Sequence, residues 1–253
     1  MFKNRIIPCL LINNRGLYKT IRFKDPVYVG DPANALKIFN EKEVDELVIL
    51  DITATKEKKK PNFKLLNELA SECFMPLCYG GGITDLDEIK TLFNLGIEKV
   101  SLNSITFTKP ELISEAAKIF GSQSIVGSID VKKNLFGKYQ VCINSGTVNT
   151  KKDPVEYAQY LANLGAGEIF LNSIDRDGTM SGYDIELINN VCASVPVPLI
   201  ACGGAGRIED FGTAIHQGGA SAVSAGSFFV FHGKHRAVLI TYPTREEMST
   251  IIS

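Results

Sequence analysis

No Cys-x-x-Cys pair occurs among the six cysteines (Cys9, Cys73, Cys78, Cys142, Cys192 and Cys202), and only three histidines are present, all toward the C-terminus. That leaves no ligand spacing for a zinc site, and no metal or other cofactor is expected. Most of the cysteines sit inside apolar runs, where a thiol acts as a small core hydrophobe. No apolar stretch reaches 18 residues, and the N-terminus lacks an apolar signal core followed by small residues. A membrane span and secretion are therefore not expected, and the reading is of a soluble cytoplasmic protein. Excess charge of one sign is also missing. The net charge of −1 gives no bulk field to attract nucleic acid or acidic membranes. One basic run, KEKKK at 56–60, reads as a solvated loop flank.

What is present is ample core material, 45% apolar residues in a chain of 253. It is arranged as eight short apolar runs: RIIPCLL (5–11), ELVILDI (46–52), PLCYG (76–80), KVSLN (99–103), SIVGSID (124–130), EIFLNS (168–173), PLIAC (198–202) and AVSAG (222–226). Runs apolar on both faces suit parallel strands covered by helices. Amphipathic stretches lie between most of them. DPANALKIF offers Asp31 as an N-cap with Pro32 behind it, TDLDEIKTLFNLG puts Leu86, Ile89, Leu92 and Phe93 on one face with Gly96 as a stop, and KPELISEAAKIFG and DIELINNVCASV read the same way. The α/β class follows, as a single (β/α)8 TIM barrel over residues 1–253, with an open doubly wound sheet as the alternative.

A repeat favours the barrel. Asp31-Pro32 returns 122 residues later as Asp153-Pro154, and the same offset carries Glu46 to Glu168, Pro76-Leu77 to Pro198-Leu199 and Gly81-Gly82 to Gly203-Gly204. One spacing that links a helix start, a strand start and a glycine turn reads as two half-barrels, about 1–120 and 121–253, facing each other across one mouth. At that mouth YGGGI and CGGAG supply bare backbone amides, each followed by a small polar strand end, Asn103-Ser104 and Gly226-Ser227. Amides with hydroxyls suit phosphate oxygens, and two matched copies imply a bisphosphate.

IIPCL, LVILDITA, YGGGI, GAGEI, SIDRDGT with SGYD, and CGGAG together resemble HisF, the cyclase subunit of imidazole glycerol phosphate synthase, over about residues 1–228. The resemblance implies a half-barrel-duplicated (β/α)8 fold and a HisH-type glutaminase partner, docked as a heterodimer on the N-terminal face of the barrel. It also implies the reaction: the bisphosphate PRFAR takes up ammonia, is split, and closes to imidazole glycerol phosphate, releasing AICAR. Carried over by motif, Asp130 matches one of two catalytic aspartates, while Leu11 stands where the other belongs. Lys19, Asp51, Ser145, Asp177 and Gly178 also fall on matching positions, beside the phosphate candidates Gly82, Asn103, Ser104, Gly204, Gly226 and Ser227. An aspartate at a strand end also commonly caps the following loop, and that role competes for each carboxylate.

Arg5, Glu46, Lys99 and Glu168 precede or begin alternate apolar runs, so their charges converge at the barrel floor. The resemblance makes these four a salt-bridged gate through which ammonia enters from the glutaminase. The tail departs from the family: Tyr242-Pro243 interrupts the usual amphipathic last helix, which is therefore expected to be absent. Leu10, Leu11 and FHGKHRAVLITYPTREE look like a paralogue branch associated with surface-polysaccharide (lipopolysaccharide) gene clusters, where the pair feeds ammonia to a downstream enzyme amidating a nucleotide sugar. An alkyl side chain moves no protons, so a conduit is expected first. An active histidine-pathway cyclase is second, and a phosphosugar isomerase of the related HisA type is third.

Overall fold

The computed structural model describes residues 4–233 and 235–252, without the side chain of Ile252; Met1–Lys3, Lys234 and Ser253, which the 1–253 domain reading includes, lie outside the described residues. Eight strands form the barrel: β1 (Arg5–Asn13), β2 (Leu47–Asp51), β3 (Leu77–Gly80), β4 (Lys99–Leu102), β5 (Ile125–Lys133), β6 (Glu168–Ser173), β7 (Leu199–Cys202) and β8 (Ala222–Ala225). Each pairs in parallel with the next, and β8 pairs with β1 through Arg5↔Ala222 to Pro8↔Ala225, which closes the sheet. All eight runs read from the sequence are strands, and closure removes the open-sheet alternative.

The outer layer is α1 (Pro32–Glu41), α2 (Phe63–Ser71), α3 (Leu86–Asn94), α4 (Glu111–Phe120), α5 (Pro154–Leu164), α6 (Ile185–Cys192), α7 (Glu209–His216) and α8 (Arg245–Ile252). Asp31 accepts from the Asn34 amide at 3.1 Å and Asp153 from the Val155 amide at 2.8 Å, each fixing a helix start with proline behind it. Gly96 takes φ +93° just past α3, as its stop role requires. Strand alternation then sorts the side chains. Ile6, Leu10 and Ile12 of β1 join the outer core against the helices, whereas Ile7 and Cys9 join a separate inner cluster with Val48, Cys78, Val126, Phe170, Ile200, Cys202 and Ala222.

Two features differ from the sequence reading. First, β1 and β5 outrun the barrel and fold back as hairpins above its C-terminal rim. Leu11–Asn13 pairs antiparallel with Gly16–Tyr18, and Asp130–Lys133 with Tyr139–Cys142. Second, the last helix is present. Pro243 precedes α8 rather than breaking it, and Thr244 and Glu247 form a reciprocal capping box, Thr244 N to Glu247 Oε2 at 2.8 Å and Glu247 N to Thr244 Oγ1 at 3.2 Å. The helix packs on α7, and Tyr242 ties the tail to the floor by donating to the Ile6 carbonyl at 2.8 Å. None of the described helices is long and apolar enough to cross a membrane.

Candidate functional site

At the floor, the side chains at the entrances of β1, β2, β4 and β6 meet in one ring. Arg5 bonds both Glu46 and Glu168, and Lys99 closes the cycle at 2.9 Å from Glu46 and 3.0 Å from Glu168. The carboxylate side chains are 3% and 7% exposed, so each needs its two cations; an unpaired charge at that depth costs several kcal/mol, on the order of 3–5. Burial opposes the charge on Arg5 and Lys99, yet the carboxylates outweigh it and hold both cations more firmly protonated than usual. Above the ring lies the inner apolar cluster, against which Leu11 and Leu50 also pack.

The inward positions turn polar toward the mouth: Lys99 is followed by Ser101 on β4 and by Asn103 just past its end, Val126 by Ser128 and Asp130 on β5, and Phe170 by Asn172 on β6. They open into a cavity of about 240 Å³ at the C-terminal ends of the strands. Leu11, Lys19, Asp51, Gly82, Asn103, Ser104, Asp130, Ser145, Asp177, Gly226 and Ser227 all line it. Asp130 accepts from Asn103 Nδ2 at 3.1 Å. Burial first, then the nearby charge of Asp177, push its carboxyl up to about 7 against the pull of Asn103 and Asn172, so it exchanges a proton near neutrality. Lys19, 5% exposed, donates to the Cys9 carbonyl at 2.6 Å and lies against Gly226, where an added Cβ would stand 2.4 Å from its Nζ. Burial lowers its pKa, and Asp177 is among the groups that oppose this.

Other candidates serve the framework as well as the cavity. Asp51 accepts from the Thr53 and Ala54 amides, both at 2.9 Å, and so caps its loop. Ser104 Oγ accepts from the Asn144 amide at 2.9 Å and Ser145 donates to the Ile52 carbonyl at 3.3 Å, which together pin the β5 hairpin across the mouth. Gly178 and Gly204 lie off the cavity wall. A Cβ on Gly178 would come within 2.1 Å of the Thr20 carbonyl, and the Gly204 carbonyl accepts from the Gly182 amide at 2.8 Å. Both glycines therefore permit close approach between neighbouring loops. The KEKKK run sits in the loop after β2 as five exposed residues, with Lys60 reaching Glu88 at 3.1 Å.

The sequence reading missed Asn172, whose Oδ1 is buried in the cavity wall with no hydrogen-bond partner among the described residues. Its signal was a polar residue at an inward position two after Phe170. Cys9 and Cys202, also on the wall, were read only as core.

Comparison with known proteins places this architecture. Residues 5–236 match the family model described as "Histidine biosynthesis protein". A Pseudomonas aeruginosa protein named "Putative imidazole glycerol phosphate synthase subunit hisF2" is 55% identical over 243 residues, 96% of this chain and 97% of that one. A Vibrio vulnificus protein of the same designation, hisF3, is 48% identical over 98% of this chain and 95% of its own length. "Imidazole glycerol phosphate synthase subunit HisF" of a Hydrogenobaculum strain is 46% identical over 91% of this chain and 92% of its own. A closed parallel barrel, a mouth lined by the motif residues and likeness along nearly the whole length lead to one conclusion: the chain belongs to the histidine biosynthesis protein family, as a HisF-type imidazole glycerol phosphate synthase subunit.

Proposed function

We propose that this subunit conducts ammonia, made from glutamine by a HisH-type glutaminase docked on the floor of the barrel, to an enzyme that amidates a nucleotide sugar for surface polysaccharide. The observation that carries this reading is the pairing of a complete charged ring at the floor with an incomplete acid–base pair at the mouth. Arg5, Glu46, Lys99 and Glu168 make four ion pairs in a closed cycle, whereas Leu11 occupies the inward position where a second carboxylate would face Asp130. An apolar interior above such a ring favours a neutral molecule over ammonium and over water in bulk. Cys78 and Ala222, both small, leave the least side chain to displace along the way.

A second reading, an active cyclase of histidine biosynthesis, draws on Asp130 itself: its carboxyl near 7 suits a single group that both gives and takes a proton. The phosphate candidates Gly82, Asn103, Ser104, Gly226 and Ser227 stay on the cavity wall and are part of that reading. The isomerase reading has less support, since the relatives named above carry the synthase subunit's name.

The test is reconstitution with the glutaminase and the amidating enzyme. Lys99→Ala is expected to leave glutamine hydrolysis largely intact, to lower amidation fed by glutamine, and to leave amidation fed by ammonium salts unchanged. Equal losses with both nitrogen sources would refute the gate. Growth of a cyclase-deficient strain carrying this chain would instead favour the second reading.

A further inference from the structure

The two hairpins carry much of the apolar surface that the fold leaves uncovered. Each hairpin is extended by one more antiparallel strand, Lys24–Gly30 beside Gly16–Ile21 and Val148–Asn149 beside Tyr139–Ile143. Among the described residues eleven large hydrophobics are exposed, and six lie on these extended hairpins: Ile21, Val27 and Tyr28 on the first, Leu135, Phe136 and Val148 on the second. Leu135 and Phe136 are the extreme case, 102% and 95% exposed at the tip of the β5 hairpin. Their exposure is not slack chain. Asn134 Oδ1 accepts from the Phe136 amide at 2.9 Å and the Lys138 amide at 3.0 Å, while the Asn134 amide donates to the Lys138 carbonyl at 2.9 Å. The turn is built, and it holds two apolar side chains out in water, where they gain nothing for this chain's own stability.

A rigid tip with a leucine and an aromatic is what a protein–protein anchor needs, because little conformational freedom is lost on docking. The charge around it is specific. Lys132, Lys133 and Lys138 are exposed on the same hairpin; Lys133 stands 4.4 Å over the Tyr139 ring and 3.8 Å from Glu186. The complement is an apolar cleft rimmed by carboxylates. The position is specific too. β5 and β1 are at opposite sides of the barrel, both hairpins rise from the mouth, and the floor is at the other end. A protein seated on both hairpins would cover the cavity without touching the floor.

We infer that the mouth face is a docking surface for the enzyme that consumes the ammonia, anchored by Leu135 and Phe136 in an acid-rimmed apolar cleft, with Ile21, Val27 and Tyr28 as the second contact. This rests on the conduit reading above and adds to it: an exit sealed against water keeps ammonia from being lost as ammonium between the two enzymes. The two readings fail separately, because the tip is read by binding and the floor by nitrogen source.

The experiment uses the chain in complex with its glutaminase, and the purified nucleotide-sugar amidating enzyme as the probe, followed by sedimentation velocity. Leu135→Ser with Phe136→Ser is expected to weaken its binding roughly tenfold or more. The same variant is expected to lower glutamine-fed amidation, with glutaminase activity, assembly with the glutaminase and thermal stability unchanged. Lys132→Glu, Lys133→Glu and Lys138→Glu combined are expected to weaken binding in a salt-dependent way. Binding and coupling like the wild type in the tip variant would overturn the docking surface and leave the conduit standing. So would a tip whose burial proves to be against a second copy of this chain, seen as self-association that the serine variant abolishes.

Discussion

Asn103 Nδ2 donates to Asp130 Oδ2 at 3.1 Å and also lies 3.2 Å from the Ser128 carbonyl, so one amide group spans the last inward turn of β4 and β5 and aims the carboxyl into the mouth. The acceptor it holds is one that burial keeps protonated up to about pH 7.

That value makes a pH-dependent stability prediction. A carboxyl raised from 3.8 to about 7 on folding binds its proton more tightly in the folded chain. Its contribution is fully present below pH 3.8, declines between 3.8 and 7, and is gone above. Asp130→Asn keeps an acceptor for Asn103 and cannot titrate. Its stability relative to the wild type should therefore climb between pH 4 and 8, by on the order of 2–4 kcal/mol. Urea unfolding at a series of pH values reads this, and a flat difference would mean that Asp130 is ionised throughout.

Leu11→Asp addresses the mouth. With Asp130 already placed, a second carboxylate should raise cyclase turnover on the bisphosphate with ammonium salts by about 10²–10⁴-fold, the usual range for a general acid or base. Steady-state kinetics on the purified variant decides it. No gain would mean that the mouth has diverged at more positions than this one.

Two glycines with similar φ should respond differently to alanine. Gly137, φ +77°, has nothing within 4 Å of the place a Cβ would take, whereas Gly178, φ +69°, would put that atom 2.1 Å from the Thr20 carbonyl. Gly137→Ala should cost about 1–2 kcal/mol, from the left-handed backbone alone. Gly178→Ala should cost clearly more and displace the first hairpin, measured by denaturant midpoints and by protease nicking near Lys24. Equal midpoints would show that the two loops separate freely.

The tail offers a simpler case. Tyr242, 7% exposed, donates to the Ile6 carbonyl at 2.8 Å, so Tyr242→Phe removes one buried donor and leaves a carbonyl without it. A loss of about 1–3 kcal/mol is expected by thermal or chemical unfolding. An unchanged midpoint would mean water replaces the hydroxyl.

The barrel was legible because its signals are redundant. Each strand is a short apolar run, the outer helices other than α4 and α7 open on a capping side chain, and the same 122-residue offset links Pro32 to Pro154 and Leu77 to Leu199, the first residues of matching elements. The hairpins were not legible, because GLYKTI and YQVCI alternate only weakly and follow short turns, NNR and NLFGK, that look like ordinary loops. The last helix was missed by giving Pro243 too much weight: proline ends a helix from inside but readily precedes one, and Thr244-Arg245-Glu246-Glu247 already spelled the capping box. At the site, motif likeness, together with the small polar strand end at Asn103, was enough to bring Leu11, Asn103 and Asp130 to one wall. It could not tell that Gly178 and Gly204 would stand behind that wall, since loop-to-loop contact leaves no period in the sequence.

The floor ring has a consequence that its individual bonds do not. Because Arg5, Glu46, Lys99 and Glu168 are joined head to tail, every member stays connected to the other three after any single link is cut. The cycle opens into two pieces only when two links fail together. Such a closure is fault-tolerant: the loss of any one bond leaves all four residues linked, whereas a side chain drawn from both of its neighbours at once, Lys99 for instance, breaks the cycle.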